Sequence, residues 1–459
     1  MRGLPFIAGL LLLIAGNTWI SAQTLDVLQE QLQSSRSLVN ELEDSHGRDN
    51  LRLAEPLAQL ADQLMALGLY ADAHRTLDRA MQIVRINDGL YTRAQLPLLQ
   101  KKIVNLANWG DWDAARIQLE HQLWFYRTKS RRADQQLVED LQLLANMHLR
   151  GVTEDGIEQQ SYHLRRAMSS NGTALAVGEA IWGKTDPRLS PLLYTLVKQC
   201  HLHIVAINQT GRTGYELRQA APGADWVRKP SEMRRYYYFT GVRLLNQIKS
   251  MYSASAPADQ EGLAMANLYL ADWQVLNGRD SEALVNYQLA YTELEQAGVD
   301  RELIQAFFSQ PALLPESRFH SSVHSALAAR ENSELSAYLD VPDDATNELF
   351  YEEWGSAFPY VSRPSELSYR LANNSNFALF SFNLAGVADI QSFINGLSSD
   401  AFSRVQAAEL VETLVESHDQ EQRLLQRLSW LRFRPKLENG VPQQAVATLR
   451  YLPALELIE

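Results

Sequence analysis

Residues 57–84 of this chain, LAQLADQLMALGLYADAHRTLDRAMQIV, carry the pattern that decides the fold. Their second half repeats small and apolar residues at i, i+4, i+7, i+8 and i+11, the spacing of one buried helix face. These positions are Ala73, Leu77, Ala80, Met81 and Val84. Gly68 precedes the first of them by five residues and can end an upstream apolar helix in a left-handed cap. The stretch therefore predicts two helices joined by a tight turn.

The same spacing recurs twice along the chain. One copy is formed by Ala283, Tyr287, Ala290, Tyr291 and Leu294. The other is formed by Ala115, Leu119, Leu123 and Tyr126, with Gln122 as its one mismatch. Gly110 and Gly278 take the place of Gly68 in these copies. Agreement among three segments favours an array of helix pairs, and the alternative is an ordinary helical bundle with coincidental alanine spacing.

The pattern resembles the tetratricopeptide repeat, best in residues 57–84 and 267–294, and less closely in 99–126 and 141–168. It departs from that family because no proline closes the units and because the Gly68-to-Gly110 interval exceeds the family period of about 34 residues. The resemblance implies an irregular α-solenoid over residues 23–325. The first helix of each pair would line a groove for an extended peptide. The candidate lining residues are Glu55, Asp62, Met65, Met265, Leu268, Asp272 and Val275, of which Leu268 and Val275 are expected in the core.

The N-terminus has the pattern of a secretory signal. Residues 4–20 are uncharged and rich in Leu and Ile, Arg2 precedes them, and Ser21 and Ala22 offer a cleavage site. We therefore expect residues 1–22 to be a signal peptide and the mature protein to be periplasmic. The alternative is an uncleaved anchor, since about 17 residues is the lower limit for a membrane span.

The pattern changes after residue 325. Residues 326–363 are acidic and aromatic and are interpreted as a connector. The alternation at Ala378, Phe380, Phe382 and Leu384 predicts a strand. A second strand is expected over 387–394, a helical stretch over 403–430 with a polar interruption at 417–419, and a last strand over 445–451.

Within this last part, Trp430, Phe433, Pro435, Gly440 and Pro442 follow in order. Residues 364–459 thus resemble the C-terminal domain of the TonB energy-transducer family, although Lys436 and Gln443 depart from its signature. The resemblance implies a small α+β domain of β-β-α-β order. If the last strand lies at a sheet edge, a partner peptide could add beside it. The residues concerned are Ala445, Ala447, Leu449 and Tyr451.

Other site patterns are weak. The net charge of −12 argues against nucleic acid as a partner, and the single Cys200 cannot form a thiolate cluster alone. His320 and His324, and likewise His201 and His203, do not form a convincing metal site. Residues 234–239 combine two cations with four aromatics. Burial of Tyr237, Tyr238 and Val242 on one helix face is favoured over stacking of this segment on a ligand.

These observations predict a non-enzymatic adaptor of the cell envelope, with no catalytic, cofactor or metal residue and with protein or peptide partners. Membrane contact is expected only if the N-terminal segment is retained. One alternative is a membrane-anchored protein like a TonB-type energy transducer. Another is an envelope hydrolase whose site leaves no motif in the sequence.

Overall fold

The computed structural model describes most of the chain, which is predominantly helical with a small sheet near its C-terminus. The described residues are 22–128, 133–210, 229–255, 257–331, 348–354, 378–387, 402–413 and 418–452. They belong to two compact units, Met1–Lys129 and Ser130–Glu459. Nearly all of the expected signal peptide lies outside the described residues. No helix in the described ranges has the length and apolar character needed to cross a membrane.

The described residues of the first unit form five α-helices: α1 (Ala22–His46), α2 (Ala54–Ala66), α3 (Tyr70–Asp88), α4 (Leu96–Trp109) and α5 (Trp112–Thr128). α2 packs against α3, α3 against α4, and α4 against α5. The helix pairs predicted over 57–84 and 99–126 are confirmed.

The turns within the predicted pairs close in the same way. At Gly68 the N–H of Leu69 donates to the carbonyl of Leu64 over 2.9 Å, and the equivalent bonds at Gly110 and Gly278 are also 2.9 Å long. The three glycines have φ angles of 72°, 81° and 68°. Such a left-handed residue with a six-to-one hydrogen bond is the Schellman closure, which glycine adopts without strain.

The predicted inward positions are buried in all three pairs. Ala73, Ala115 and Ala283 have no exposed surface, so the backbones of paired helices can approach closely at these points. The mismatch Gln122 is 2% exposed, and its Nε2 donates to the Tyr126 hydroxyl over 2.9 Å. A polar side chain fits this apolar position because the repeat itself supplies a hydrogen-bond partner.

The second unit begins with a longer run of helices. They are α6 (Gln135–Glu154), α7 (Gln160–Trp182), α8 (Ser190–Thr210), α9 (Pro230–Ala254), α10 (Gln260–Leu276), α11 (Asp280–Gln296), α12 (Arg301–Phe308) and α13 (Val323–Glu331). From α6 to α11, consecutive helices pack side by side. Residues 211–228, between α8 and α9, lie outside the described residues.

The remaining described residues of the second unit form eight strands and one more helix. The strands are β1 (Ala312–Leu314), β2 (Glu348–Glu352), β3 (Ala378–Leu384), β4 (Val405–Thr413), β5 (Arg432–Arg434), β6 (Leu437–Glu438), β7 (Val441–Pro442) and β8 (Ala445–Leu452), and the helix is α14 (His418–Leu428). The main sheet has the order β2-β8-β3-β4, with β8 parallel to β2 and antiparallel to β3. Leu424 and Leu428 of α14 pack with Phe380 and Phe382 on the buried face of this sheet. The β-β-α-β order of β3, β4, α14 and β8 confirms the predicted fold class.

The expected helix over 403–430 is wrong in its first part, because residues 405–413 form strand β4, which pairs with β3. The expected second strand lies mostly in 388–401, outside the described residues. Two irregularities interrupt the register of β4 with β3. Leu379 faces Glu412 whereas Phe380 faces Leu410, and Ser381 faces Glu409 whereas Asn383 faces Gln406. Ala407, at the second irregularity, has a φ of 45°. A bulge shifts the alternation by one residue, so the apolar positions of β4 do not show the period of a regular strand.

Two strands join the C-terminal fold from outside the range expected for it. β2 lies in the expected connector and pairs with β8, while β1 lies in the expected helical domain and pairs with β5. The division between the two compact units falls between Lys129 and Ser130. Strand pairing over such sequence distances leaves no local pattern that could be recognised in the sequence.

Candidate partner-binding surfaces

In the first unit, α2 and α4 expose matching rows of side chains. The row on α2 is Glu55, Gln59, Asp62 and Ala66, and the row on α4 is Pro97, Lys101, Val104 and Asn108. Each row follows i, i+4, i+7 and i+11, and all eight residues are exposed or half-buried. We call these eight residues the α2–α4 face.

Three predicted partner-binding residues belong to α2. Glu55 is exposed, and Asp62 and Met65 are half-buried. Asp62 forms an ion pair with Lys101 of α4. The accessibility of these residues is compatible with partner binding, and the ion pair shows that adjacent helix pairs share one polar surface.

The predicted residues on α10 do not line an open surface. Met265 has no exposed surface, Asp272 is 3% exposed, and Leu268 and Val275 are fully buried. This corrects the assignment of Met265 and Asp272 to a groove, whereas the core placement of Leu268 and Val275 is confirmed. The physical reason is that α10 packs against α9, α11 and β5, so its would-be groove face is covered.

Asp272 takes part in a buried ion pair with β5 instead. Arg434 Nε donates to Asp272 Oδ1 over 3.0 Å, and Nη2 bonds Oδ2. The Tyr287 hydroxyl also donates to Oδ1, over 2.8 Å. Burial raises the pKa of Asp272, although Arg434 opposes this effect. The bidentate pair connects helix α10 of the helical array to strand β5.

Glu316 completes this cluster of charges. Its Oε1 lies 2.7 Å from Arg434 Nη1, and the Tyr269 hydroxyl donates to Oε2 over 3.1 Å. Burial alone would raise the pKa of Glu316, but the charges of Arg434 and Arg330 outweigh it and hold that pKa below its usual value. Arg434 keeps its proton. The cluster is therefore a buried ion-pair network in which the carboxylates of Asp272 and Glu316 are balanced by the guanidinium groups of Arg434 and Arg330.

The last strand is not available for strand addition. β8 lies between β2 and β3, so both of its backbone edges are already paired. Ala447, Leu449 and Tyr451 are buried, and Ala445 is half-buried. This overturns the expectation that a peptide could add beside residues 445–451. Among the described strands of this sheet, β2 and β4 are the edges, and the bulges of β4 disturb the hydrogen-bonding ladder that an added strand would need.

The weak histidine patterns are resolved as structural features. His320 precedes helix α13, so it shares no helix face with His324. His201 and His203 are buried in α8, where His203 stacks on Tyr237 with ring centroids 4.4 Å apart. In the described ranges, no three or more His, Cys, Asp or Glu side chains are arranged to hold a metal ion.

One polar cluster was not foreseen from the sequence. His148 Nδ1 lies 3.0 Å from His163 Nδ1, and His163 Nε2 lies 2.8 Å from Asp155 Oδ2. Burial, followed by the charge of His163, holds the pKa of His148 well below its ordinary value. Gly151 permits this packing, because a Cβ there would lie 2.4 Å from the His163 ring. The residues occupy α6, α7 and their turn, and no motif distinguishes them.

Comparison with known proteins adds little. No protein-family model matches the chain, and no curated protein matches it. Among solved structures, the chain is similar to BtubC (BKLC) from P. vanneervenii, with 14% sequence identity and a TM-score of 0.32. The match covers 60% of this chain and 93% of that one. A likeness at this level supports no argument about function.

Proposed function

We propose that the protein is a non-enzymatic adaptor of the cell envelope that binds peptide segments of its partners on the surfaces of its helix pairs. The observation that carries this proposal is the α2–α4 face, where two neighbouring first helices expose the same row of positions. A tetratricopeptide-like array uses such first helices to bind extended chains, and this is the comparison on which the proposal depends.

The chemistry of the face suits a peptide. Lys101 and Asp62 offer both charges, Val104 and Pro97 offer apolar contact, and Gln59 offers an amide. Ion pairs at such half-exposed positions contribute little stability, about 0–1 kcal/mol, so a bound peptide can replace them at low cost. The expected mode is an extended segment lying across both helices.

The C-terminal module is proposed to be related to the TonB C-terminal domain. Support comes from the β-β-α-β order and from the signature residues at 430–442. The export signal supports a periplasmic location, and the transducer-like alternative requires that residues 4–20 remain in the membrane. N-terminal sequencing of the mature protein separates the two possibilities, because a chain beginning at Gln23 has lost the anchor.

The peptide-binding role is tested by site-specific photocrosslinking in envelope preparations. A photoreactive amino acid replaces Gln59 or Asn108 on the α2–α4 face, and the matched control replaces Gln82, an exposed glutamine on α3. We expect discrete protein adducts from the first two positions and none from the third. Equal adducts from all three positions, or none from any, would contradict the proposal.

A charge-exchanged variant tests specificity without losing the internal ion pair. Asp62→Lys combined with Lys101→Asp keeps opposite charges at the two positions but inverts the surface. If a partner binds this face, the adduct yield should fall at least about five-fold, as for the loss of an oriented charge pair. An unchanged yield would mean that the partner binds elsewhere.

A further inference from the structure

Helix α9 exposes a row of cationic and aromatic side chains that the internal packing does not use. Tyr237 and Tyr238 are buried, as expected, but Tyr236 and Phe239 are 49% and 50% exposed. Arg235 and Arg243 are also exposed. We call Arg235, Phe239 and Arg243 the α9 stripe.

The stripe lies on one side of the helix. Its members are separated by four residues each, so successive members are displaced only by a small angle about the helix axis and lie on one face. At a rise of about 1.5 Å per residue, the two arginines are about 12 Å apart along the axis, with Phe239 midway. The guanidinium carbon of Arg235 lies 5.6 Å from the centre of the Phe239 ring. This contact orients the arginine over the ring.

Among the described residues, no carboxylate lies within ion-pair distance of the stripe arginines, Arg235 and Arg243. Two acidic residues near the stripe make other contacts: Glu232 accepts a hydrogen bond from the Lys229 N–H over 3.3 Å, and Glu282 pairs with Arg279. In a chain with a net charge of −12, two exposed arginines that form no ion pair with a described residue, beside an exposed phenyl ring, form a local positive site.

We propose that the α9 stripe binds an extended acidic peptide segment in which two carboxylates flank an apolar side chain. A strand advances about 3.3 Å per residue and places alternate side chains on one side. Residues i and i+4 are then about 13 Å apart, close to the separation of the arginines. The matching motif is acidic-x-apolar-x-acidic. The carboxylates pair with the guanidinium groups, and the apolar side chain contacts Phe239.

This inference rests on the proposed peptide-binding function and adds a second site with a defined chemistry. The probe is a fluorescein-labelled peptide with Glu-Thr-Leu-Thr-Glu at its centre and Gly-Ser flanks. The control peptide has the scrambled order Glu-Glu-Thr-Thr-Leu, which keeps the charge but removes the spacing. Binding of both peptides to the full chain is followed by fluorescence anisotropy.

The variants are Arg235→Gln with Arg243→Gln, and Phe239→Ser. Their matched controls are Arg301→Gln and Val285→Ser, because both of these residues are exposed on other helices of the second unit. We expect at least five-fold tighter binding of the ordered peptide than of the scrambled one. Losing both arginines should weaken binding about ten-fold, losing Phe239 about five-fold, and the controls less than two-fold. Raising the salt concentration should weaken wild-type binding and have less effect on the double arginine variant.

The inference fails if the ordered peptide has no advantage, or if the stripe variants bind like their controls. Circular dichroism and thermal melting establish that each variant is folded. A negative result with the peptide would not contradict the proposal for the α2–α4 face, because the crosslinks from Gln59 and Asn108 do not depend on α9. Conversely, binding to the stripe together with no crosslink from the α2–α4 face would refute the first site alone.

Discussion

Acid should destabilise the second unit through the buried histidines of α8. Burial lowers the pKa of His203 to about 4, and burial with the charge of Arg432 lowers the pKa of His201 to about 4. In the unfolded chain a histidine has a pKa of about 6.5. The folded state therefore binds fewer protons. The contribution of these neutral, buried histidines to the stability of the folded state is complete above about pH 6.5 and is lost as the pH falls toward about 4.

The magnitude follows from the two pKa shifts. A shift of about 2.5 units corresponds to roughly 3 kcal/mol per histidine once the pH is below about 4. At about pH 5 each histidine has cost roughly 2 kcal/mol, so the two together lower the free energy of unfolding by roughly 4 kcal/mol relative to about pH 8. This loss is a large part of the stability of an ordinary domain.

The variant that isolates the effect is His203→Phe. Its phenyl ring can keep the stack on Tyr237, and His203 Nε2 has no hydrogen-bond partner among the described residues. Urea unfolding followed by tryptophan fluorescence at about pH 8 and pH 5 gives the acid-induced loss. We expect this loss to be smaller by roughly 2 kcal/mol in the variant. The control His418→Gln changes an exposed histidine and should leave the loss unchanged. If His203→Phe shows the wild-type loss, the argument from buried histidines is wrong.

Three further predictions concern the interior of the second unit. Arg434→Met should lower the free energy of unfolding, measured with urea, by about 3–5 kcal/mol, because Asp272 loses its charge partner. Adding Asp272→Leu should restore part of this loss. No restoration would contradict the buried ion pair. Gly241→Ala should lower the melting temperature, since its Cβ would lie 2.4 Å from Trp273. Gly172→Ala, which meets nothing within 4 Å, should raise it. Burial raises the pKa of the Cys200 thiol to about 12, so it should react with a maleimide only after unfolding; labelling of the folded chain at the rate of a free thiol would contradict this.

The helix pairs could be predicted because their causes are local. A helix end at Gly68 requires a residue that tolerates positive φ, and the buried face at Ala73 and Ala80 follows the helical period. Both signals lie within a few tens of residues. Strand β3 was predicted for the same reason, since its alternating burial is a property of consecutive residues.

The predictions that the structure contradicts share one cause, which is contact between residues far apart in the sequence. Met265 and Asp272 have the spacing of an exposed row, yet β5 and two neighbouring helices cover them. Strand β4 has an irregular pattern because its bulges adjust it to β3. In both cases the partner, and not the local sequence, determines which side of the element faces water.

By itself, the amino-acid sequence determined the helical character of most of the chain, the turns of its pairs and the alternating strand at residues 378–384. These features depend on backbone preference and on periodic burial. The tertiary structure alone decided that β8 is a central strand, that Arg434 reaches Asp272 across 162 positions of sequence, and that two arginines of α9 are exposed with no ion pair to a described residue. Each of these depends on which distant residues come together, and a single sequence carries no local trace of such partners.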